Sequence, residues 1–209
     1  MPSSLKERPY NAVAHKIYEI ENSKTEGLKK ARLAWLRRGL GKTIDEVPEL
    51  WELILEDSSD LEGDSTKIFV VEGAYEEAIY GALTLYGLAH QQNDTPHKKG
   101  ISFGYAVGKL VTEDESNRDR IGARLKSVLK AKNIFQATTK MRPLISILAK
   151  EGESFDFAQL AKDLYGLAAF PNLGKIVRLN WARDYIRGIE EKKNPKSEES
   201  KDKGEKDHG

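Results

Sequence analysis

The organisation of this chain is decided by residues 67–90, which read KIFVVEGAYEEAIYGALTLYGLAH. Apolar residues recur there at spacings of three and four, which predicts a helix from Lys67 to His90. Its second half is apolar almost all round, so we expect a central helix that is buried on every side. A bilayer span needs roughly 18 apolar residues. The longest stretch without charge or strong polarity, Ala78–Ala89, has 12 residues, so no membrane segment is expected.

Helical periodicity continues on both sides of this segment, and no convincing run alternates apolar and polar residues. The predicted fold class is all-α, with about nine helices in two small helical bundles. The polar stretch Gln91–Gly100 contains proline and glycine and is expected to separate the bundles. The predicted domains are an N-terminal helical bundle over residues 1–95, a C-terminal helical bundle over residues 100–189 and a disordered charged tail over residues 190–209.

The other predicted helices cover residues 10–20, 25–38, a short segment from Pro48, and residues 102–111, 117–132, 134–150, 155–168 and 174–188. Gly39 is expected to end the second helix in the left-handed conformation. Asn117 and Ser154 are the expected N-caps of their helices. Pro143 is expected to kink or break its helix, because it cannot donate a hydrogen bond to the carbonyl of Thr139.

Composition excludes several classes of protein. The chain has 209 residues, 39% of them hydrophobic and 32% charged, which is typical of a globular protein with a highly charged surface. It contains no cysteine, which excludes disulfide scaffolds, thiolate zinc sites, iron–sulfur clusters and cysteine nucleophiles. The absence of cysteine also fits a reducing cytosol, and a cytoplasmic location is expected.

Two sequence features could indicate a phosphate-binding or metal-binding site, but neither has the spacing that such a site requires. Gly41-Lys42-Thr43 has the ending of a phosphate-binding loop, but that motif needs a glycine five residues before Gly41, where this chain has Leu36. The four histidines are scattered, with no pair at metal-binding helical spacing. The sequence therefore predicts no cofactor, no metal and no catalytic residue.

Charge is segregated along the chain, although the net charge is only +1. Residues 24–42 carry seven bases and one acid, and residues 118–142 carry eight bases and one acid. Residues 175–187 add four bases and one acid, whereas residues 45–64 contain nine acids and no base. A binding partner responds to local charge, so the basic stretches are the candidate binding surfaces.

Many of these bases are expected to point into solvent, because they lie opposite the apolar arc of their helix. They are Lys30 and Arg37 on the second helix, Arg120, Lys126 and Lys130 on the helix over residues 117–132, and Arg183 and Arg187 on the last helix. The apolar arc of the last helix is expected to consist of Leu179, Ala182, Tyr185 and Ile186. Arg32 lies between Leu28 and Leu36 and is expected to be paired and partly buried.

Motifs at both ends of the chain carry a family resemblance. The first reads ARLAWLRRGLG at residues 31–41 and is followed by PELW at residues 48–51. The second reads VRLNWARDY at residues 177–185, and it is preceded by FDFAQLAKDL at residues 155–164. In order and spacing, from about residue 10 to residue 187, these motifs resemble the CasB family, the small subunit of the type I-E CRISPR Cascade surveillance complex.

The resemblance implies an all-helical protein of two small bundles without catalytic activity. In the family, two copies pack beside the other Cascade subunits, and their basic surface helps to hold guide RNA and target DNA and to stabilise the displaced DNA strand. The expected partners are therefore other Cascade subunits, guide RNA, the target and displaced DNA strands, and a second copy of the chain.

The candidate nucleic-acid contacts come from the family motifs and from the helical-face analysis. Arg37, Arg38, Arg178 and Arg183 lie in the matching motifs, Arg142 lies on the helix after the midpoint, and Arg120, Arg124, Lys126 and Lys130 come from the helical-face analysis. The motif arginines have a structural alternative, because a basic residue near the end of a helix can bond to its last carbonyls.

The leading hypothesis is a non-catalytic subunit that binds nucleic acid without sequence preference, which requires the separate basic patches to meet on a shared surface. A second hypothesis is a helical adaptor whose partners are proteins and whose bases are merely solvated. A helix-turn-helix regulator would need a short turn before an exposed recognition helix, and the sequence offers no such pair of helices.

Overall fold

The computed structural model describes residues 3–55 and 65–193. In those two ranges the chain forms nine α-helices and no β-strand, which confirms the predicted all-α class. The helices are α1 (Ser3–Glu21), α2 (Glu26–Arg38), α3 (Trp51–Ile54), α4 (Ser65–Ala89), α5 (Phe103–Lys109), α6 (Glu115–Leu129), α7 (Ile134–Lys150), α8 (Phe157–Ala169) and α9 (Pro171–Lys193). Two short 3₁₀ turns, Ile44–Glu46 and Pro48–Leu50, lie between α2 and α3.

The central helix is α4, as its apolar sequence predicts. Every residue from Ala78 to Gly87 is buried, and α4 packs against α1, α2, α7 and α8. Tyr75 and Tyr86 of α4 make edge-to-face contacts with Tyr165 and Phe157 of α8, with ring centroids 6.3 and 5.5 Å apart. Such pairs contribute about 0.5–1.5 kcal/mol beyond the burial of area. Both ends of α8 are therefore held on the central helix.

The end of α2 differs from its prediction. The expected left-handed stop at Gly39 is wrong, because its φ is −74°, and the left-handed residue is Gly41, with a φ of 79°. Gly39 is needed for close packing, since a Cβ there would lie 2.6 Å from Tyr80 Oη. At the other end, Thr25 is the N-cap, and its Oγ1 accepts a hydrogen bond from the Leu28 amide at 3.2 Å.

The predicted N-caps of α6 and α8 are wrong by a few residues. Asp114, not Asn117, caps α6, and its carboxylate accepts from the amide two residues further on at 3.1 Å. Asp156, not Ser154, caps α8, and its carboxylate accepts from the amide three residues further on at 3.0 Å. Asp, Asn and Ser have nearly equal N-cap preference, so neighbouring candidates could not be separated by residue type.

The predicted break at Pro143 does not occur, and α7 runs without interruption from Ile134 to Lys150. Pro143 and Thr139 are both exposed, on the same face of the helix. Water can therefore reach the Thr139 carbonyl that proline leaves without a backbone donor, which lowers the penalty for continuing the helix.

The backbones of α5 and α9 pack at very short range, which glycine makes possible. A Cβ at Gly104 or Gly108 of α5 would lie 2.3 Å from the carbonyl oxygens of Trp181 and Tyr185 on α9. On α9, a Cβ at Gly188 would lie 2.4 Å from a carbonyl oxygen of α5. Contacts under 3 Å do not occur for real Cβ atoms. The face of α9 that carries Trp181 and Gly188 is therefore fixed against α5.

This crossing rotates α9 away from its predicted orientation. Leu179 and Ile186 were expected in the apolar arc, but they are 54% and 49% exposed. Trp181 is 1% exposed and is the largest of the fully buried side chains in the described part of the chain. The apolar arc predicted for α9 is therefore wrong at two of its members, because backbone fit and not side-chain hydrophobicity selects the buried face.

The segment between α4 and α5 is fastened to the start of α8. Asp156 accepts from the Gly100 amide at 2.9 Å, and His97 Nδ1 accepts from the Phe157 amide at 3.2 Å. Burial lowers the pKa of His97, which favours the neutral ring that can accept this bond. Among the described residues, one apolar core includes side chains from both sides of this segment. The division into two bundles at residues 91–100 stays a prediction.

Parts of two predicted features lie outside the described residues. They are residues 56–64 of the acidic stretch and residues 194–209 of the charged tail. The first four residues of that predicted tail, 190–193, form the last turn of α9.

Candidate nucleic-acid interface

Lys30 and Arg37 of α2 line one groove of about 500 Å³ beside the end of α4. Lys30 pairs with Glu26 at 3.7 Å, but both side chains are highly exposed, and an exposed pair contributes only about 0–1 kcal/mol. Arg37 is half-buried and Arg38 is exposed, and neither has a carboxylate partner within residues 3–55 and 65–193. The end of α2 therefore presents cations that a phosphate can reach.

Lys29, next to Lys30, is already neutralised by the protein. It forms an ion pair with Glu21 at 2.7 Å, and Glu21 also accepts a hydrogen bond from Tyr86 and lies 3.1 Å from His90 Nε2. Burial opposes the ionisation of Glu21, but the bonds from Lys29 and Tyr86 outweigh it and hold the pKa of Glu21 below its usual value. Lys29 thus fastens α2 to α1 and is not offered to a ligand.

Arg142 of α7 lies beside the loop that follows α2. A Cβ at Gly41 would be 3.0 Å from Arg142 Nη1, and Arg142 and Lys42 line the same cavity of about 190 Å³. Arg37 lines the groove described above, and Gly39, only two residues further on, lines this cavity. The two sites therefore lie on either side of the end of α2.

Thr43 in this loop is bonded within the protein. The Thr43 amide and hydroxyl both donate to the Glu46 carboxylate, at 2.7 and 2.9 Å. These bonds hold the pKa of Glu46 below its usual value. The amide and hydroxyl of Thr43 are therefore already used within the protein and are not free to bind phosphate.

Three of the four candidate bases on α6 have the predicted orientation. Arg120, Lys126 and Lys130 are exposed, whereas Arg124 is half-buried and reaches back to the Arg120 carbonyl at 3.4 Å. None of the four forms an ion pair with a carboxylate in the described part of the chain. Carboxylates do lie near Arg120, since Glu151 and Glu153 line the same cleft and Asp114 interacts with its charge, so Lys126 and Lys130 are the more available cations of this face.

Two arginines are used by the fold. Arg178 of α9 donates to the carbonyls of Leu129 and Ala131 at the end of α6, at 2.9 and 3.0 Å. This is the structural alternative that the sequence left open, since carbonyls at the end of a helix need donors. Arg32 is half-buried and donates to the Glu19 carbonyl at 3.0 Å, which agrees with its predicted burial.

The last two candidates, Arg183 and Arg187, are exposed on α9. Among the residues that the structure describes, Arg183 bonds only to Asn180 of its own helix, at 3.2 Å. Arg187 pairs with Asp184 at 3.1 Å and lies over the Tyr105 ring, 5.2 Å from its centroid. Arg183 is therefore the more available of the two for an anionic ligand.

The structure places the candidates in separate clefts, so the described residues do not show the single shared basic surface that the leading hypothesis requires. Lys30 and Arg37 share the α2 groove, Arg142 lines the cavity beyond it, and Arg120 lines a small cleft beside α5 and α9. The exposed Phe135 at the cavity is a feature that sequence analysis missed, and nothing in the local helical pattern marks it.

Two kinds of site were sought within residues 3–55 and 65–193. No group of three or more His, Asp or Glu side chains there is arranged to hold a metal ion. No helix in these ranges is both long enough and apolar enough to cross a membrane.

Comparison with known proteins defines the class of the chain. Residues 32–185 match a family of CRISPR-associated proteins. The family is described as CRISPR-associated protein Cse2, and the match spans most of the chain, so this protein belongs to that family. The resemblance indicated by the sequence motifs is confirmed.

Two solved structures are similar to this chain. CasB from Thermobifida fusca is 26% identical in sequence, with a TM-score of 0.66 over 88% of this chain and 99% of that chain. A chain of a CRISPR RNA-guided surveillance complex shares the fold at 19% identity, with a TM-score of 0.62 over 88% of this chain and 95% of that chain. No curated protein sequence matches significantly.

Proposed function

We propose that this protein is the non-catalytic small subunit of a type I-E CRISPR Cascade surveillance complex in the cytoplasm. Its basic surfaces bind guide RNA and target DNA without sequence preference and stabilise the displaced strand of the R-loop. Its partners are the other Cascade subunits and a second copy of itself. Phosphate contacts suit this role, because a displaced strand has no fixed sequence.

One observation carries the proposal: most candidate cations are not paired with the protein's own acids. Among them, only Lys30 and Arg187 pair with carboxylates of the described residues, and Arg178 is held by carbonyls. The remaining candidate cations have no carboxylate at ion-pair distance among the described residues, so a phosphate can bind them there without displacing an ion pair. Each one placed near a phosphate releases condensed counterions and adds affinity.

Binding of single-stranded DNA measured against salt tests the proposal. The logarithm of the binding constant should fall linearly with the logarithm of salt concentration, by about 0.7 for each phosphate contact. Both the full chain alone and the assembled complex should be measured. No binding in either form, or a flat salt dependence, would falsify the proposed role.

Charge reversal on α6 tests which surface is used. The triple variant R120E/K126E/K130E should bind DNA more weakly and show a shallower salt dependence. K150E, on an exposed residue of α7 outside the basic stretches, is the matched control and should bind as wild type. Unchanged binding by the triple variant would remove α6 from the interface.

A second candidate function is a protein-interaction adaptor without direct nucleic-acid contact. It is favoured by the exposed apolar residues of α9, since Ile176, Leu179 and Ile186 are each about half exposed. In that case the triple α6 variant should assemble and function normally, whereas L179E should prevent assembly. If the triple α6 variant loses function while L179E still assembles, the result supports nucleic-acid binding.

A further inference from the structure

The cavity between the end of α2, α4 and α7 has the size of a single ring. Its volume is about 190 Å³, and it is lined by residues 39–45, by α4 residues including Glu77 and Tyr80, and by Phe135, Thr138 and Arg142 of α7. A cavity of about 150 Å³ holds benzene, whereas pockets for drug-sized ligands measure roughly 300–1,000 Å³. The cavity therefore suits one aromatic ring and not a whole nucleotide.

The walls of this cavity are preformed. Tyr80 Oη donates to the Gly39 carbonyl at 2.7 Å, which ties the loop to α4. Burial raises the pKa of Tyr80 to about 12, so the phenol stays protonated and keeps donating. The left-handed Gly41, with a φ of 79°, then turns the loop so that it lies against Arg142. A ligand ring would therefore enter a space that needs no rearrangement of this loop.

The lining combines the kinds of side chain with which proteins bind single-stranded nucleic acids. Phe135 is 46% exposed, so an aromatic ring is available at the cavity without a partner ring in the described part of the chain. Lys42 and Arg142 supply two cations. Asp45 and Glu77 also line the cavity, but no carboxylate of the described residues forms an ion pair with either cation. Glu77 adds an acceptor that suits the N–H groups of bases, such as N3–H of thymine. Aromatic stacking beside cations is how single strands are held without sequence readout.

We propose that this cavity takes one unstacked base of a single-stranded nucleic acid, with Phe135 as the stacking surface and with Lys42 and Arg142 on the adjoining phosphates. This inference rests on the proposed function and adds to it a fixed point of base contact. Phosphate contacts alone let a strand slide, whereas a docked base holds it in place.

The test uses the full chain with Phe135→Ala and two labelled oligonucleotides, oligo(dT) and an abasic strand of equal length. Loss of one stacked base should weaken oligo(dT) binding about tenfold at every salt concentration, without changing the salt slope. Wild type should lose a similar factor on the abasic strand, and F135A should lose nothing further there. F135W keeps a stacking ring and should restore binding.

Two controls separate this effect from loss of fold or of charge. Tyr18 is an exposed aromatic residue of α1, 64% exposed and away from the cavity, so Y18A should bind as wild type. R142Q should instead lower the salt slope by about 0.7, the amount expected for one phosphate contact on a single strand. Thermal unfolding should show unchanged midpoints for F135A and Y18A.

The outcomes distinguish the two proposals. If wild type binds oligo(dT) with a steep salt dependence but F135A and the abasic strand show no loss, base docking is wrong and the proposed function stands. If wild type binds no single strand at any salt concentration, alone or in the complex, the proposed function fails and this inference fails with it.

Discussion

The helices α4 and α9 are similar in length, with 25 and 23 residues, but their burial is determined in different ways. In the second half of α4 the sequence is apolar nearly all round, and residues 78–87 are all buried. In α9 the buried face carries Arg178, Trp181 and Gly188, while Leu179 and Ile186 are exposed. Hydrophobic pattern alone therefore explains α4, whereas α9 is oriented by the fit of its backbone against α5.

The largest expected effect compares the same substitution in the two helices. Leu83 of α4 is fully buried and Leu179 of α9 is 54% exposed. L83A removes buried contacts and leaves a cavity, so it should lower the free energy of unfolding by about 2–5 kcal/mol. L179A should change it by about 0.5 kcal/mol or less. Urea unfolding measures both, and equal losses would contradict the exposure of Leu179.

A second pair of variants tests the backbone fit directly. Gly104→Ala places a Cβ 2.3 Å from the Trp181 carbonyl oxygen, so α5 and α9 must move apart, at a cost of about 1–3 kcal/mol. Gly122→Ala is the matched control, because its nearest contact would be Tyr185 Oη at 3.5 Å. In the interior of α6 that change should stabilise by about 0.5–1 kcal/mol. If both substitutions changed the free energy of unfolding in the same direction, close packing would not be what orients α9.

The sequence predicted those features that depend on local pattern. The bounds of α7, Ile134 and Lys150, agree with the prediction, because a regular apolar period marks them. The face of α9 was not predictable in the same way. Its orientation depends on two glycines of α5, Gly104 and Gly108, that lie about 75 residues away in the chain.

The sequence indicated which basic residues could form the candidate site, but not which of them bind a ligand and which hold the fold together. Arg178 and Arg183 lie in one motif, five residues apart, which places them about 140° apart around a helix. Only the position of the end of α6 decides that Arg178 bonds to carbonyls while Arg183 faces solvent. The cavity beside Phe135 is formed by three separate segments, so no single stretch of sequence indicates it.

These two arginines provide the third comparison. R178Q removes the donors to the Leu129 and Ala131 carbonyls, and half-buried acceptors left without donors should lower stability by about 1–2 kcal/mol. R183Q should leave stability unchanged and reduce the salt slope of DNA binding by about 0.7. Chemical denaturation and a salt titration of binding separate the two roles. A stability loss in R183Q, with none in R178Q, would reverse the assignment.

The last comparison concerns the carboxyl group that holds Trp181 on the buried face of α9. Asp163 accepts from Trp181 Nε1 at 2.7 Å and from Gln159 Nε2 at 2.8 Å. Burial raises the pKa of Asp163 to about 6, although these two bonds and the charge of Lys162 lower it, and the charge of Asp184 adds to the increase. The folded state therefore keeps a proton that the unfolded chain releases near its ordinary pKa of 3.8.

The sign of the pH dependence follows from this raised pKa. The stability supplied by the proton is complete below about pH 4 and is lost as the pH rises through about 6. D163N keeps an acceptor for Trp181 but cannot titrate, so wild type should lose stability relative to D163N across this range, by at most about 1.4 kcal/mol per pH unit. Urea unfolding at a series of pH values measures the difference. A constant difference between the two proteins would show that Asp163 ionises normally, and Trp181 would then be held by a carboxylate that stays charged throughout.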